Sequence, residues 1–254
     1  MIDKIYNENC LEGMKRIADG SVDAIICDPP FGITDCAFDV RIPFEPMWEQ
    51  FKRVTKKNAA IVLFSQMPFG AELIMSNRKM FRYEWIWHKN LGTGFLNAKK
   101  MPLKCHENIL VFYQKLPTYN PQKWQGKPYK WEHKQKSENY QFKASQQEGY
   151  RYVRVSEDGL RCPLDIVQFN SGNVFGKGTS HPTQKPVDLL EYLIKTYTNE
   201  GELVLDATIG SGSTAVACVN TNRHFIGFET EEKFYEIALR RIAEAQAKKA
   251  QELL

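Results

Sequence analysis

Apolar residues fall into two rhythms along the chain, and the switches between them predict alternating helices and strands. Cys10, Leu11, Met14, Ile17 and Ala18 recur at helical spacing, and Asp19-Gly20-Ser21 breaks that pattern. Val22 to Cys27 then form a nearly continuous apolar run, which suits a strand buried on both faces of a parallel sheet. The run stops at Asp28-Pro29-Pro30-Phe31, where two prolines without a ladder N–H force the chain out of the sheet. A second unit repeats the order: Phe44, Met47, Trp48, Phe51 and Val54 predict a helix, and Ala59 to Phe64 a buried strand. Further strands are expected from Glu84 to His88 and from Ile109 to Tyr113.

From Leu116 to about Lys177 the rhythm fades, and Pro, Gly, Gln, Lys and aromatic residues take over, which predicts an inserted, partly irregular lobe. Order returns at Pro186, in the first turn of a helix that carries Leu189, Leu190, Leu193, Ile194 and Tyr197. A strand from Leu203 to Asp206, a glycine-bearing turn, a helix from Thr214 to Val219, a strand from His224 to Glu229 and a closing helix from Glu231 follow. Strands alternating with helices imply an α/β fold, a doubly wound and mostly parallel sheet covered on both faces. On this reading residues 1–114 and 178–254 are the two halves of one domain, and 115–177 is the insertion.

Composition narrows the class. The 254 residues are 43% hydrophobic and 25% charged, which excludes a disordered or collagen-like chain. This length sits near the ceiling of about 250–300 residues for one core, favouring a single domain with an insertion over two equal domains. No apolar run approaches the roughly 20 residues that cross a bilayer, and Met1-Ile2-Asp3-Lys4 lacks a signal-peptide layout, so a cytoplasmic protein with no membrane partner is expected. The six cysteines (Cys10, Cys27, Cys36, Cys105, Cys162, Cys218) never reach a C-x-x-C spacing, and no metal site is expected. Net charge is only +4, yet Lys115 to Arg154 holds nine Lys or Arg against Glu132, Glu138 and Glu148. That segment therefore carries +6 and the rest of the chain −2. Tyr119, Trp124, Tyr129, Trp131, Tyr140, Phe142, Tyr150 and Tyr152 are interleaved with its basic residues, the composition of a nucleic-acid surface. A solvated basic loop whose aromatics form a small core fits any one of these residues equally well.

Two strand ends carry candidate chemistry. In Asp206-Ala-Thr208-Ile-Gly210-Ser211-Gly212-Ser213-Thr214, glycines admit a ligand to the backbone and the following helix presents N–H donors. Glu229 lies 23 residues after Asp206, where a ribose-binding acid is expected. Asp206 repels a pyrophosphate but attracts an ammonium or sulfonium group, and S-adenosylmethionine carries both. A capped glycine turn with no ligand accounts for the same stretch taken alone. Asp28-Pro29-Pro30-Phe31 is likewise either a turn or a catalytic end, since Asp before two prolines makes a good turn.

Together these segments resemble the amino-group DNA methyltransferases of the permuted class, in which the catalytic tetrapeptide comes first, the target-recognition region follows and the cofactor loop comes last. Asp28 to Phe31 matches that family's D-P-P-Y/F. Asp206 to Thr214 matches its D-P-F-x-G-S-G-T-T, departing at Ala207, Thr208 and Ser213, and His181-Pro182-Thr183-Gln184-Lys185-Pro186 matches H-P-T-Q-K-P unaltered. The resemblance implies a Rossmann-like fold, S-adenosylmethionine as cofactor and duplex DNA as partner. It also implies a possible homodimer, a possible companion restriction endonuclease and a bacterial or phage-infected host cell. It places catalysis on Asp28, Pro29, Pro30 and Phe31, and implies adenine N6 as the acceptor. The cofactor falls to Asn9, Cys10, Asp28, His181, Thr183, Gln184, Lys185, Asp206, Thr208, Gly210, Ser211, Gly212, Ser213, Thr214 and Glu229. Glu8-Asn9-Cys10 stands where the family often has Gly-Asp, with Asn9 in place of the Asp; Asn still donates and accepts hydrogen bonds to an adenine ring. Lys185 is expected to neutralise the cofactor carboxylate, with Thr183 and Gln184 hydrogen-bonding beside it. Ser65 faces the same rim and either lines the pocket or merely ends a strand, and His88 and His106 have no assigned role.

Other readings remain. Cytosine N4 is the nearest alternative acceptor, although the related cytosine enzymes usually carry Ser in place of Asp28. RNA or a protein amide goes with Asn at that position. A nicotinamide dehydrogenase needs a fuller glycine pattern and no Asp206, and a non-catalytic DNA-binding module leaves Asp28 to Phe31 and Lys185 without purpose.

Overall fold

Residues along each central strand alternate between two apolar faces, and each face has its own helices. The computed structural model describes residues 1–32, 39–134, 151–171 and 184–252. The first half runs β1 (Lys4–Asn7), α1 (Cys10–Met14), β2 (Val22–Cys27), α2 (Phe44–Val54), β3 (Thr55–Ser65), α3 (Phe69–Ser76), β4 (Phe81–Thr93) and β5 (Lys104–Phe112). Short strands follow: β6 (Trp124–Gln125), β7 (Tyr129–Lys134), β8 (Arg151–Ser156), β9 (Leu160–Arg161) and β10 (Ile166–Gln168). The chain closes with α4 (Val187–Tyr197), β11 (Leu203–Asp206), α5 (Ser213–Asn220), β12 (His224–Glu229) and α6 (Glu232–Glu252).

One sheet has the order β1-β12-β11-β2-β3-β5-β4-β10. From β1 to β3 all neighbours are parallel, whereas β5 is antiparallel to β3 and to β4. Residues 94–103, which join β4 to β5, are too few for the dozen or so that a parallel crossover requires. Ile25, Ile61, Leu63, Leu110 and Phe112 pack with Met14, Phe51 and Leu73 of α1–α3. Ile26, Val62, Phe64, Ile109 and Val111 pack with Leu189, Leu193, Ala215 and Ala238 of α4–α6. Each such large side chain contributes about 1.5–3 kcal/mol when fully buried. The doubly wound, mostly parallel sheet expected from the pattern is therefore present.

The differences are local. α1 stops at Met14 instead of running on to Ala18, because the Ile17 N–H bonds the Met14 carbonyl (2.9 Å) in a tighter three-residue turn. β1 and α3 are too short to show a period. Ile166–Gln168, expected in the irregular lobe, is a strand paired with Ile86–His88 of β4.

The chain divides into two compact units, Met1–Asn120 with Asp165–Leu254, and Pro121–Leu164. The second is built from two antiparallel pairs, β6 with β9 and β7 with β8. Asp158 closes the β8–β9 connection by accepting from the Leu160 N–H (3.0 Å) and the Ser156 hydroxyl (3.2 Å). Trp124, Tyr129 and Trp131 are 52%, 38% and 48% exposed, so these aromatics face outward. The Arg161 guanidinium lies 4.2 Å over the Tyr129 ring. Tyr140, Phe142 and Tyr150 lie outside the described residues. Among the described residues no helix is long and apolar enough to cross a membrane.

Candidate active site

β2 and β11 are neighbours, but the chain leaves β2 toward β3 on one side and leaves β11 toward β12 on the other. The loops after them part at a topological switch point, where open α/β sheets bind ligands. Asp28 stands at the end of β2 and Asp206 at the end of β11. Thr208 ties the two ends together: its Oγ1 donates to the Asp28 carbonyl (2.8 Å) and lies 3.1 Å from Cys27 Sγ.

Around the turn after β11, Asp206 is buried and both its oxygens are engaged. Oδ1 accepts from the Thr208 N–H (3.0 Å) and Oδ2 from Thr214 Oγ1 (2.6 Å). Burial nonetheless pushes its carboxyl up to about 7. Gly212 has φ 82°, and a Cβ there would sit 2.9 Å from Ala238 Cβ, so only glycine fits between the turn and α6. Gly210 is also left-handed, with φ 53° and open space where a Cβ would project. Arg241 of α6, which no motif marks, braces the turn through Ser211 Oγ (2.9 Å) and Ser213 Oγ (3.2 Å).

Glu229 ends β12 and is partly exposed; its Oε1 accepts from the Glu231 N–H (2.8 Å), and burial raises its pKa. Asn7 lies opposite it in register. Asn9 caps α1, its Oδ1 accepting from the Leu11 N–H (2.9 Å). Cys10 is buried beneath that cap, which pushes its thiol up to about 11. Both residues thus have structural duties at the expected adenine position.

Gln184 and Lys185 of the H-P-T-Q-K-P segment each reach one of the two strand ends. Gln184 Oε1 accepts from Ser211 Oγ (3.0 Å). Lys185 donates to Asp28 Oδ2 and lies 3.5 Å from Glu107 Oε2, with the Phe64 ring beneath it at 5.1 Å. The attraction of two carboxylates holds it there, since a buried ammonium needs counter-charge. His181, Pro182 and Thr183 lie outside the described residues.

Pro29 is buried and Pro30 half-buried. The Phe31 ring rests on Phe69 (5.1 Å between centroids), and its carbonyl accepts from Arg41 Nε (2.6 Å). Asp28 Oδ1 is buried with no hydrogen-bond partner among the described residues. Burial raises the Asp28 pKa despite Lys185, with Glu107 adding to the rise. Ser65 is fully buried beneath Gly70, with Oγ 3.5 Å from the Asn108 carbonyl, and so ends its strand inside the core. His88 and His106 face each other across β4 and β5 and are exposed.

Comparison with known proteins identifies the family. The family model described as DNA methylase, for N6/N4 methyltransferases, matches residues 22–240. The chain is 31% identical to the type II methyltransferase M.BglII of Bacillus subtilis over 93% of its length and 68% of that protein. It is 27% identical to M.HpaI of Haemophilus parainfluenzae over 95% of its length and 74% of that protein. Among solved structures, the M1.HpyAVI–SAM complex superposes with a TM-score of 0.63 at 26% identity, covering 94% of this chain and 98% of that one. The cytosine-N4-specific PvuII DNA methyltransferase superposes with a TM-score of 0.67 at 13% identity, covering 96% and 91%, a likeness of fold alone.

Proposed function

The chain belongs to the DNA methylase family, and from that premise we propose that it transfers a methyl group to N6 of adenine in duplex DNA. One observation carries the choice of acceptor site: the Asp28 carboxylate keeps Oδ2 on Lys185 and leaves Oδ1 buried and, among the described residues, unpartnered, at the end of β2 on the switch-point rim. A buried acceptor without a donor is costly by about 1–3 kcal/mol, so the site favours a ligand that brings an N–H. Asp at this position also favours adenine, because the related cytosine-N4 enzymes usually carry Ser there.

S-adenosylmethionine is the cofactor, and it supplies a methyl group made electrophilic by the attached sulfonium. The residues fit it: Gly210 leaves open space over the backbone, the α5 N-terminus presents N–H groups, and Glu229 offers a carboxylate to ribose hydroxyls. Asp206 contributes negative charge beneath the turn in its ionised form, and Gln184 links the H-P-T-Q-K-P segment to Ser211.

The exocyclic amine of adenine is a poor nucleophile because its lone pair is delocalised into the ring. Asp28 Oδ1 and the Pro29 carbonyl each accept one amine hydrogen, which lets the nitrogen pyramidalise and localises its lone pair. The two prolines hold these acceptors rigid, so little reorganisation is needed at the moment of reaction. Burial makes Asp28 a stronger proton acceptor, and the Lys185 ammonium works in the other direction, favouring its charged form. Phe31 stacks on the base. An adenine inside a duplex is out of reach, so it must flip out at a cost of a few kcal/mol, offset by phosphate contacts. The basic unit Pro121–Leu164, with Trp124, Tyr129 and Trp131 exposed, supplies those contacts.

Mass spectrometry of DNA digested after incubation with the enzyme and its donor should reveal N6-methyladenine. N4-methylcytosine alone would overturn the assignment. Asp28→Ala should abolish transfer while leaving DNA binding nearly intact, and activity above a few per cent of wild type would remove Asp28 from the chemistry.

A further inference from the structure

Two ion pairs meet on one buried carboxylate beside the site. Glu107, on β5 opposite Trp87, is 5% exposed, and it heads the apolar run Ile109–Phe112 where a charge is costly. Its Oε1 accepts from Lys89 and from Gln66 Nε2 (3.3 Å). Its Oε2 is buried without a hydrogen bond, 3.5 Å from Lys185 Nζ. Lys185 is in turn the donor to Asp28 Oδ2. A carboxylate this deep is retained at a cost to stability, and nothing in the packing of β5 calls for one.

We infer that Glu107 is a positioning residue for methyl transfer: it anchors Lys185 from behind, so that Lys185 occupies Oδ2 of Asp28 and leaves Oδ1 as the one oxygen facing the amine. This rests on the reading of Asp28 as the amine acceptor. The geometry explains why Lys185 approaches Asp28 through one oxygen only. Glu107 on one side and the Phe64 ring beneath place the ammonium against Oδ2. The charges around Asp28 come from several elements: Lys185 ahead of α4, Glu107 and Lys104 on β5, Lys89 on β4 and Asp206 at the end of β11. Burial works against the charge on Glu107, but Lys185 and Lys89 outweigh it and hold its carboxyl below the usual range. Lys185 is held above the usual lysine range against its own burial by the two carboxylates.

The test is single-turnover methyl transfer with Glu107→Gln, scored as methyl incorporated into DNA whichever base receives it. A cytosine product would then count against adenine as the acceptor and not against this inference. A misplaced catalytic group costs on the order of tenfold to a hundredfold in rate, and that loss is expected here in kcat with the KM for donor and DNA little changed. The acid limb of the pH–rate profile should also move to lower pH, because a like charge that disfavours ionised Asp28 has gone. That shift reports the lost charge, whereas the loss of kcat on the plateau above the limb reports the lost positioning of Lys185. In a Lys185→Met background the same substitution should cost almost no further plateau kcat, since Glu107 positions Asp28 through Lys185. Where the single variant fails to fold, Glu107→Gln with Lys89→Gln restores charge balance and is measured in its place. An unchanged plateau kcat, or full additivity in kcat with Lys185→Met, would each overturn the inference.

Discussion

Replacing Asp206 by Asn removes one charge from beneath the glycine turn and alters its shape very little. The carboxyl is buried, and its pKa rises from 3.8 to about 7 chiefly because burial penalises the ionised form. In an unfolded chain the same group ionises near its ordinary value. Between these values the unfolded state has lost the proton and the folded state keeps it, so stability falls as pH rises through the window and the cost is complete above it. At about 1.4 kcal/mol per unit, a rise of roughly three units sets a ceiling of ~4 kcal/mol on that cost.

Asparagine avoids the cost and keeps one acceptor for the Thr208 N–H, while its Nδ2 reverses the hydrogen bond to Thr214 Oγ1. Allowing about 1 kcal/mol for the reversed bond, Asp206→Asn should stabilise the protein by about 1–3 kcal/mol at pH ~8, with the gap closing toward pH ~4. The measurement is urea unfolding of both proteins across that range. The same substitution should weaken S-adenosylmethionine binding measured by calorimetry, because the charge facing an ammonium and a sulfonium is gone. A variant that is no more stable at high pH, with the same pH slope as wild type, would refute the claim that Asp206 is an under-compensated buried carboxylate. Undiminished donor affinity would refute its Coulombic role and leave it as a clamp on the turn.

Glu229→Ala should weaken donor binding by about 1.5–3 kcal/mol, the scale of hydrogen bonds to a charged group, and unchanged affinity by calorimetry would place the ribose elsewhere. Phe31→Ala should change the fluorescence of 2-aminopurine at the target position, while Phe31→Tyr should preserve it by keeping the stacking face; an unaltered signal in the alanine variant would remove Phe31 from the stack. Neutralising the exposed Lys123, Lys127 and Lys130 with Gln should weaken DNA binding and reduce the slope of log K against log salt by about 0.9 for each phosphate that is no longer neutralised. Donor affinity should stay unchanged in that variant, and an unaltered salt slope with weakened donor binding would make the segment part of the cofactor domain.

What could be read in advance follows the range of the interaction concerned. Buried strands such as Val22–Cys27 and Leu203–Asp206 announce themselves because burial on both faces demands an unbroken apolar run. Asp28 and Asp206 stand out because each interrupts such a run at its carboxyl end, where a charge is tolerated only beside a ligand or a partner. The contact of Lys185 with Asp28 was not legible: the two lie 157 positions apart, and no local rule relates them. Glu107 offered a signal of its own, a carboxylate heading the apolar run Ile109–Phe112 that the sheet was bound to bury, which implies a cation from elsewhere in the fold. Arg241 offered none, since on the long, mostly polar α6 it is indistinguishable in sequence from Arg240. Only the close approach of α6 to the turn, made possible by Gly212 against Ala238, converts that arginine from a surface charge into the brace that holds Ser211 and Ser213. Tertiary proximity of this kind depends on both partners at once, so it can be seen only after the sheet has placed them.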